Sequence, residues 1–387
     1  MNFLFSSVLC SNRILSYLQE KAHIKPSYSV QKFWRLIAMG IIKNGSTVST
    51  ISSIPFTKKS INRLVFNVQS ECENQIEYRY AFSINIPFIK NICVFIYSFF
   101  STLSWCLKNK KGVVICDVLQ VSVCVGSLLA SKIAKRLCVG LVTDMPGYSV
   151  KKRKISVVSK IMMLYINSFD KYILLTEEMN ELINQKNRPY CIMEGLVDSE
   201  MKLIEETNKS EKKDIIYAGG LYEKYGVKML IDAFIKLNDS TTELHLYGNG
   251  DLVKYIQEQI QKHSNILYHG AVANNEVVQA ELKAFLLVNP RHTSEKLTRY
   301  SFPSKNMEYM VSGTPVLTTN LSGMPEEYKE YVFLLEKETV EGLKETFEHI
   351  LNLPEEEVRM KGLKAKDFVL LKKNNVIQMK RIIDFIN

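Results

Sequence analysis

The sequence predicts an α/β protein made of two doubly wound, parallel-sheet domains, and three observations carry that prediction. From residue 214 onward, strand-length apolar runs at 214–218, 243–247, 266–269, 284–288, 315–319 and 331–335 interleave with amphipathic stretches at 226–237, 251–262, 274–282, 303–311 and 339–352. Strands spaced by helices fold into a parallel sheet covered on both faces. The chain also opens as β-α-β, with strands expected at 2–10 and 48–51 around a helix at 26–44. Charge then divides the chain: residues 1–195 hold 25 Lys and Arg against 11 Asp and Glu, a net of +14, while residues 196–387 hold 25 against 29, a net of −4. With 387 residues and 46% hydrophobic content, the chain can build two full cores. A charged stretch at 205–213 marks the linker, so the domains are expected at 1–195 and 196–369.

Taken in order, the N-terminal run MNFLFSSVLC lacks a basic leader region and a small-residue cleavage site, so it reads as a buried strand. Val30, Phe33, Trp34, Ile37 and Ile41 recur at helical spacing, and Gly45 stops that helix. The following loop has no G-x-G-x-x-G, which argues against a dinucleotide site. Residues 92–107 are uncharged but shorter than the roughly 20 residues a bilayer core requires. Lys90, Lys108, Lys110 and Lys111 bound them, and the stretch reads as a buried or interfacial helix. A strand at 113–119, a helix at 121–135 and a strand at 138–143 lead to Asp144-Met145-Pro146-Gly147. Asp144 is a candidate site residue because open α/β sheets bind ligands beyond the carboxyl ends of their strands; a plain turn role before Pro146 is the alternative.

The run Lys151-Lys152-Arg153-Lys154 beside the apolar stretch 155–166 is either a solvated face or a contact for anionic lipid. A strand at 171–175 and a helix from Thr176 close the first half. The basic first half favours an anionic surface or ligand, and the acidic second half excludes a nucleic-acid footprint there. All eight cysteines lie in the first half without a Cys-x2-Cys pair, which points to buried free thiols in a reducing compartment and away from zinc or redox sites.

The stretch 289–320, NPRHTSEKLTRYSFPSKNMEYMVSGTPVLTTN, reads as a strand end, a polar loop, a helix opening at Pro303, a Gly313 stop and a second strand. Pro303 suits the first helical position, where its missing N–H costs nothing, and Ser301 and Ser304 can take up the free N–H groups beside it. A helix N-terminus attracts anions, and with Lys305 in the first turn and Arg291 at the strand end it suits phosphate. Glu308, one turn beyond Lys305, can accept hydrogen bonds from sugar hydroxyls or form a surface ion pair with Lys305. Two further loops fall at the same sheet edge: Gly219-Gly220-Leu221-Tyr222-Glu223-Lys224-Tyr225-Gly226 and Gly248-Asn249-Gly250-Asp251. Glycines there let backbone approach a phosphate.

The run 301–316, SFPSKNMEYMVSGTPV, resembles the nucleotide-sugar signature of retaining GT-B glycosyltransferases of the family 4 type. It is most similar to the FPSK-x-x-EYM variant of bacterial capsule and exopolysaccharide assembly enzymes, with Glu308 at the second glutamate of Glu-x7-Glu. The resemblance implies two Rossmann-like domains facing each other across a cleft, with the 370–387 segment crossing back onto the first domain. It implies transfer of a sugar, with retained configuration, from a nucleotide-diphosphate donor (a UDP-sugar is favoured) to a glycan or lipid-linked saccharide. The setting it implies is cytoplasmic, peripheral on the inner membrane, without a cofactor.

The family pattern places an Arg after the first loop's Gly and a Lys before its last Gly, where this chain has Gly220 and Tyr225. Arg291 and Lys305, with Lys224 as a third cation, are the candidates to hold the diphosphate instead. Tyr300 replaces the first glutamate. Gly219, Gly220, Asn249, Gly250, Ser301 and Ser304 complete the expected donor site. Asp144 is the candidate on the first domain, where the sole histidine, His23, fits no motif. No Asp-x-Asp pair is present, so no metal is expected. The alternatives are an epimerase or hydrolase of nucleotide sugars on this fold, or a nucleotide- or glycan-binding protein without catalysis.

Overall fold

A computed structural model describes residues 1–145, 157–201 and 212–387. They divide into two units, Met1–Leu196 with Asn375–Asn387, and Val197–Asn374. In the first, β1 (Asn2–Ser7) runs through α1 (Asn12–Lys21) and α2 (Tyr28–Lys43) to β2 (Thr47–Ser52), its parallel neighbour. Helix α1 was not expected; Ser11 caps it by accepting the Ile14 N–H at 3.3 Å. Short strands follow, β3 (Val65–Phe66), β4 (Glu71–Glu73), β5 (Ile76–Tyr80) and β6 (Ser83–Ile84). The chain continues as α3 (Ile89–Lys108), β7 (Val113–Asp117), α4 (Val121–Ile133), β8 (Cys138–Val142), α5 (Val157–Ile166), β9 (Lys171–Leu174), α6 (Glu177–Ile183) and β10 (Tyr190–Ile192).

Among the described residues the sheet runs β10-β9-β8-β7-β1-β2-β5-β4, parallel except for β4 against β5. Strands β7 (VVICD) and β8 (CVGLV) are buried at every position, the continuous apolar pattern of a strand covered on both faces. Free thiols are not all buried: Cys72 is exposed on β4, and Cys93 and Cys191 are half-buried.

The second unit repeats one motif: β11 (Lys213–Ala218), α7 (Val227–Leu237), β12 (Thr242–Tyr247), α8 (Val253–Ile260), β13 (Ile266–Gly270), α9 (Asn274–Lys283), β14 (Leu286–Asn289), α10 (Ser304–Ser312) and β15 (Val316–Thr319). Then come β16 (Phe333–Leu335), α11 (Val340–Asn352) and α12 (Glu355–Lys372). Its strands are all parallel, in the order β13-β12-β11-β14-β15-β16. Leu286 and Val288 enter one core with Leu230, Phe234 and Phe347, while Leu287 enters a second with Met307, Met310 and Phe368, so helices cover both faces. Helix α12 had no counterpart in the sequence expectations, because Gly362 and Ala365 on its buried face carry little apolar signal.

The chain returns to the first unit as α13 (Asn375–Ile386), which buries Met379, Ile382 and Ile386. Gly40 lets α2 and α13 touch, since a Cβ there would overlap the Asn375 carbonyl oxygen. Asn375 Nδ2 donates to Leu36 O at 3.1 Å and Asn44 Nδ2 to Val376 O at 2.9 Å across the same contact.

The helix expected at 92–107 is α3, 20 residues long, so the argument from insufficient length fails. Nor is it buried, for one apolar face is open to solvent along its length. The basic run 151–154 lies outside the described residues.

Candidate functional site

At the carboxyl ends of β11, β12 and β14, three loops meet. Tyr309, wholly buried on α10, anchors that helix to the end of β11: Ala218 N donates to its hydroxyl at 2.9 Å, and the hydroxyl donates to Ala218 O at 3.2 Å. Asn306, also buried, accepts from Asn289 Nδ2 at 2.7 Å and donates to Thr318 Oγ1 at 3.1 Å, joining α10 to β14 and β15. Buried polar groups tied at both ends hold an element in one place. The first turn of α10 is therefore fixed beside the first glycine loop.

The helix opens one residue later than expected. It starts at Ser304, and Pro303 is the capping residue, with φ −74° and ψ 81° and no side-chain cap bond of its own. Instead the Ser304 N–H donates to Phe302 O at 2.9 Å and the Asn306 N–H to Pro303 O at 2.8 Å. Ser304 is exposed and Ser301 half-buried.

Lys305 reaches from this turn to the loop, where a Cβ on Gly219 would overlap its Cε and lie 3.1 Å from its Nζ. Arg291 follows β14, and its guanidinium lies 5.2 Å from the centroid of the Tyr225 ring. Lys224 places its ammonium 5.1 Å from the same ring and 5.3 Å from that of Tyr222. Tyr225, standing where the family pattern has lysine, is thus flanked by two cations. Arg291 Nε is buried without a hydrogen-bond partner among the described residues.

The Tyr217 hydroxyl donates to Gly220 O at 2.9 Å. Burial pushes its pKa up and Tyr225 adds to this, while Arg291 pulls the other way. The glycines are structural as well. Gly226 has φ +74°, and a Cβ on it would overlap Pro290 O; Gly248 has φ +128°, and a Cβ would overlap Gly219 O. Leu221 N donates to Asn249 O and Leu252 N to Leu221 O, each at 3.0 Å, which locks the first loop to the second. Exposed Asn249 spends its Oδ1 on the Gly250 N–H at 2.8 Å.

The structure thus brings together Gly219, Gly220, Lys224, Arg291 and Lys305, with Asn249 and Gly250 one loop away. Glu308 is exposed on α10, and no ion pair joins it to Lys305 among the described residues. Tyr300 ends a 3-10 turn, Lys296–Tyr300, half-buried. Asp144 lies in the other unit, where its Oδ1 accepts the Met145 N–H at 2.8 Å and desolvation raises its pKa.

Glu281 on α9 was not visible in the sequence as a site residue, because nothing in its spacing separates it from a surface glutamate. Burial pushes its carboxyl up to about 7, with Lys305 lowering and Glu308 raising it. A carboxyl held about half protonated at neutral pH offsets less of the Lys305 charge than an ordinary glutamate would. On the opposite, amino-terminal side of the same sheet, Asp214, Glu243 and His245 bring ligand atoms within 4.8 Å of one another. There Lys212 pairs with Glu243 at 2.6 Å and His269 Nε2 meets His245 Nδ1 at 3.1 Å.

No curated protein sequence matches this chain significantly. Residues 199–366 match the family described as glycosyl transferases group 1. Among solved structures, sucrose-phosphate synthase from Thermosynechococcus elongatus is similar at TM-score 0.66 and 12% identity, covering 99% of this chain and 98% of its own. HepE of Anabaena, in complex with UDP, is similar at 0.65 and 14% identity, covering 99% of each chain. The lipopolysaccharide outer core galactosyltransferase WaaB, in its apo form, is similar at 0.60 and 13% identity, covering 100% of this chain and 99% of its own. Fold and family match agree: the chain has the GT-B fold, and residues 199–366, within the second unit, carry the match to group 1 glycosyl transferases.

Proposed function

We propose that this protein transfers a glycosyl group, with retained configuration and without a metal, from a nucleotide-diphosphate sugar to a glycan or lipid-linked saccharide in bacterial surface polysaccharide synthesis. The observation that carries the reading is the convergence of Arg291 and Lys305 on the first glycine loop, in which the family pattern has its own two cations. As the sugar leaves, charge develops on the diphosphate. Fixed cations and backbone N–H groups aimed at that position stabilise it without reorganisation. Glu308, exposed and free of Lys305, accepts hydroxyls of the donor ribose. A UDP donor is favoured, in line with HepE solved with UDP and with UDP and glucose. A saccharide acceptor is in line with WaaB, a lipopolysaccharide core galactosyltransferase. Asp144 is the acceptor-side group.

The test is a screen of nucleotide-sugar donors with lipid-linked and oligosaccharide acceptors, followed by the anomeric configuration of the product. Arg291→Ala and Lys305→Ala are each expected to lower the rate about a hundredfold or more. Turnover of the donor without an acceptor would place the protein among epimerases or hydrolases instead. Binding of UDP without turnover of any donor would place it among non-catalytic binders.

A further inference from the structure

Helix α3 turns a line of large apolar side chains toward solvent. Its outward stripe is Ile89, Ile92, Ile96, Phe100 and Leu107, each 40–64% exposed, and Phe88 at its start is 80% exposed. These positions recur at helical spacing, so they form one line down a helix of 20 residues, about 30 Å long. Its inward face mixes apolar and small polar side chains, with Val94, Trp105 and Cys106 buried beside Ser98 and Thr102. Ser98 and Thr102 are wholly buried against α4, Thr102 Oγ1 lies 2.9 Å from Ser127 Oγ, and a Cβ on Gly126 would overlap or crowd Phe95 O and Ser98 Cβ. Close backbone approach at Gly126, one hydroxyl pair between the helices and large apolar side chains turned outward are features shared with helices whose outer solvent is hydrocarbon. A water-facing helix presents the reverse.

The charge around the stripe identifies what covers it. Between residues 81 and 136 the acidic residue is Asp117, itself buried, against Lys90, Lys108, Lys110, Lys111, Lys132, Lys135 and Arg136. Lys90 is turned inward, donating to Ile54 O at 3.2 Å and to Phe56 O, and Lys132 pairs with Asp170. Lys108, Lys110, Lys111 and Lys135 are exposed, and Arg136 Nε donates to Cys106 O at 3.3 Å, which sets the end of α4 beside the end of α3. The cations that have no partner among the described residues are therefore gathered where both helices end. A typical protein interface is registered by roughly ten hydrogen bonds, and before its terminal lysine the exposed polar side chains of α3 are Asn91 and Ser104 alone. A lipid surface requires only apolar area and, when anionic, nearby lysines.

We propose that α3 is a membrane-docking helix, lying in the plane of an anionic lipid surface with its outward stripe among the acyl chains and the lysines at its carboxyl end on the headgroups. The proposal stands apart from the transferase reading because its test reads binding and no turnover.

The full-length chain is mixed with phosphatidylcholine vesicles, with or without phosphatidylglycerol, and floated through a density gradient. The protein floats with phosphatidylglycerol vesicles and is released by salt. Ile96→Ser with Phe100→Ser, and separately Lys108→Ser with Lys110→Ser and Lys111→Ser, each lower partitioning roughly tenfold or more. Both sets sit on exposed positions, so unfolding temperature and UDP affinity stay at wild-type values. Absence of flotation by the wild type at low salt overturns the proposal. So does wild-type flotation by the Ile96/Phe100 variant. A wild-type dimer in sedimentation that this variant breaks, with no vesicle binding, assigns the stripe to a second copy of the chain and also overturns it.

Discussion

Glu281 shows what a site residue can contribute without touching a ligand. Its carboxyl is raised from an ordinary 4.5 to about 7 by burial, so the folded state prefers it protonated. Below pH 4.5 both folded and unfolded chains hold that proton; as pH rises toward 7 the folded chain alone retains it, and stability falls until the folded carboxyl also ionises. Glu281→Gln should therefore match wild type near pH 4 and exceed it by about 2–3 kcal/mol at pH 8, in urea unfolding followed at both values. An equal difference at the two pH values would show that the group is not held neutral. Glu308→Gln tests a different residue-scale role: if its carboxylate accepts ribose hydroxyls, donor affinity falls by roughly 1.5–3 kcal/mol with stability unchanged. Unaltered affinity would return Glu308 to an ordinary surface position.

At the scale of elements, the sequence was most informative where hydrophobic period and glycine punctuation agree, as in the alternation from β11 to α11. It missed α1 and α12, the first because its apolar residues are few and the second because its buried face is built partly of Gly362 and Ala365. The three loops could be placed at one sheet edge from topology alone. That Lys305 crosses to Gly219, or that Arg291 and Lys224 flank Tyr225, could not, since such contacts depend on side-chain direction and on anchors such as Tyr309 and Asn306. Pro303 was displaced by one position because an unpaired proline nitrogen fits both the capping and the first helical place. The loop junction is nonetheless demanding. Gly226→Ala must hold a side chain at φ +74° against Pro290 O, and should cost at least about 2 kcal/mol in urea unfolding. A loss below about 0.5 kcal/mol would show that the loop can move aside, in which case it is no fixed cradle.

For the whole molecule, the charge division of +14 and −4 follows the two halves, and so do the roles proposed for them. The C-terminal helix is part of the first unit although it follows the second in sequence. Deleting residues 375–387 removes Met379, Ile382 and Ile386 from its core, a loss of several kcal/mol at about 1.5–3 kcal/mol for each buried side chain. Calorimetry should show the first unit melting earlier while the second still binds UDP. Loss of UDP binding together with the helix would mean that the second unit does not fold independently.

The central claim is that Arg291 and Lys305 form the diphosphate clamp in place of two basic residues on the first glycine loop. Isothermal titration of UDP into wild type, Arg291→Ala, Lys305→Ala and Lys224→Ala tests it directly, because it requires neither the sugar nor the acceptor to be known. Removing either of the first two donors should weaken UDP by about 1.5–3 kcal/mol, roughly ten- to a hundredfold in Kd, with a smaller loss for Lys224→Ala. Wild-type affinity in both the Arg291 and Lys305 variants, or the largest loss in the Lys224 variant, would contradict the account.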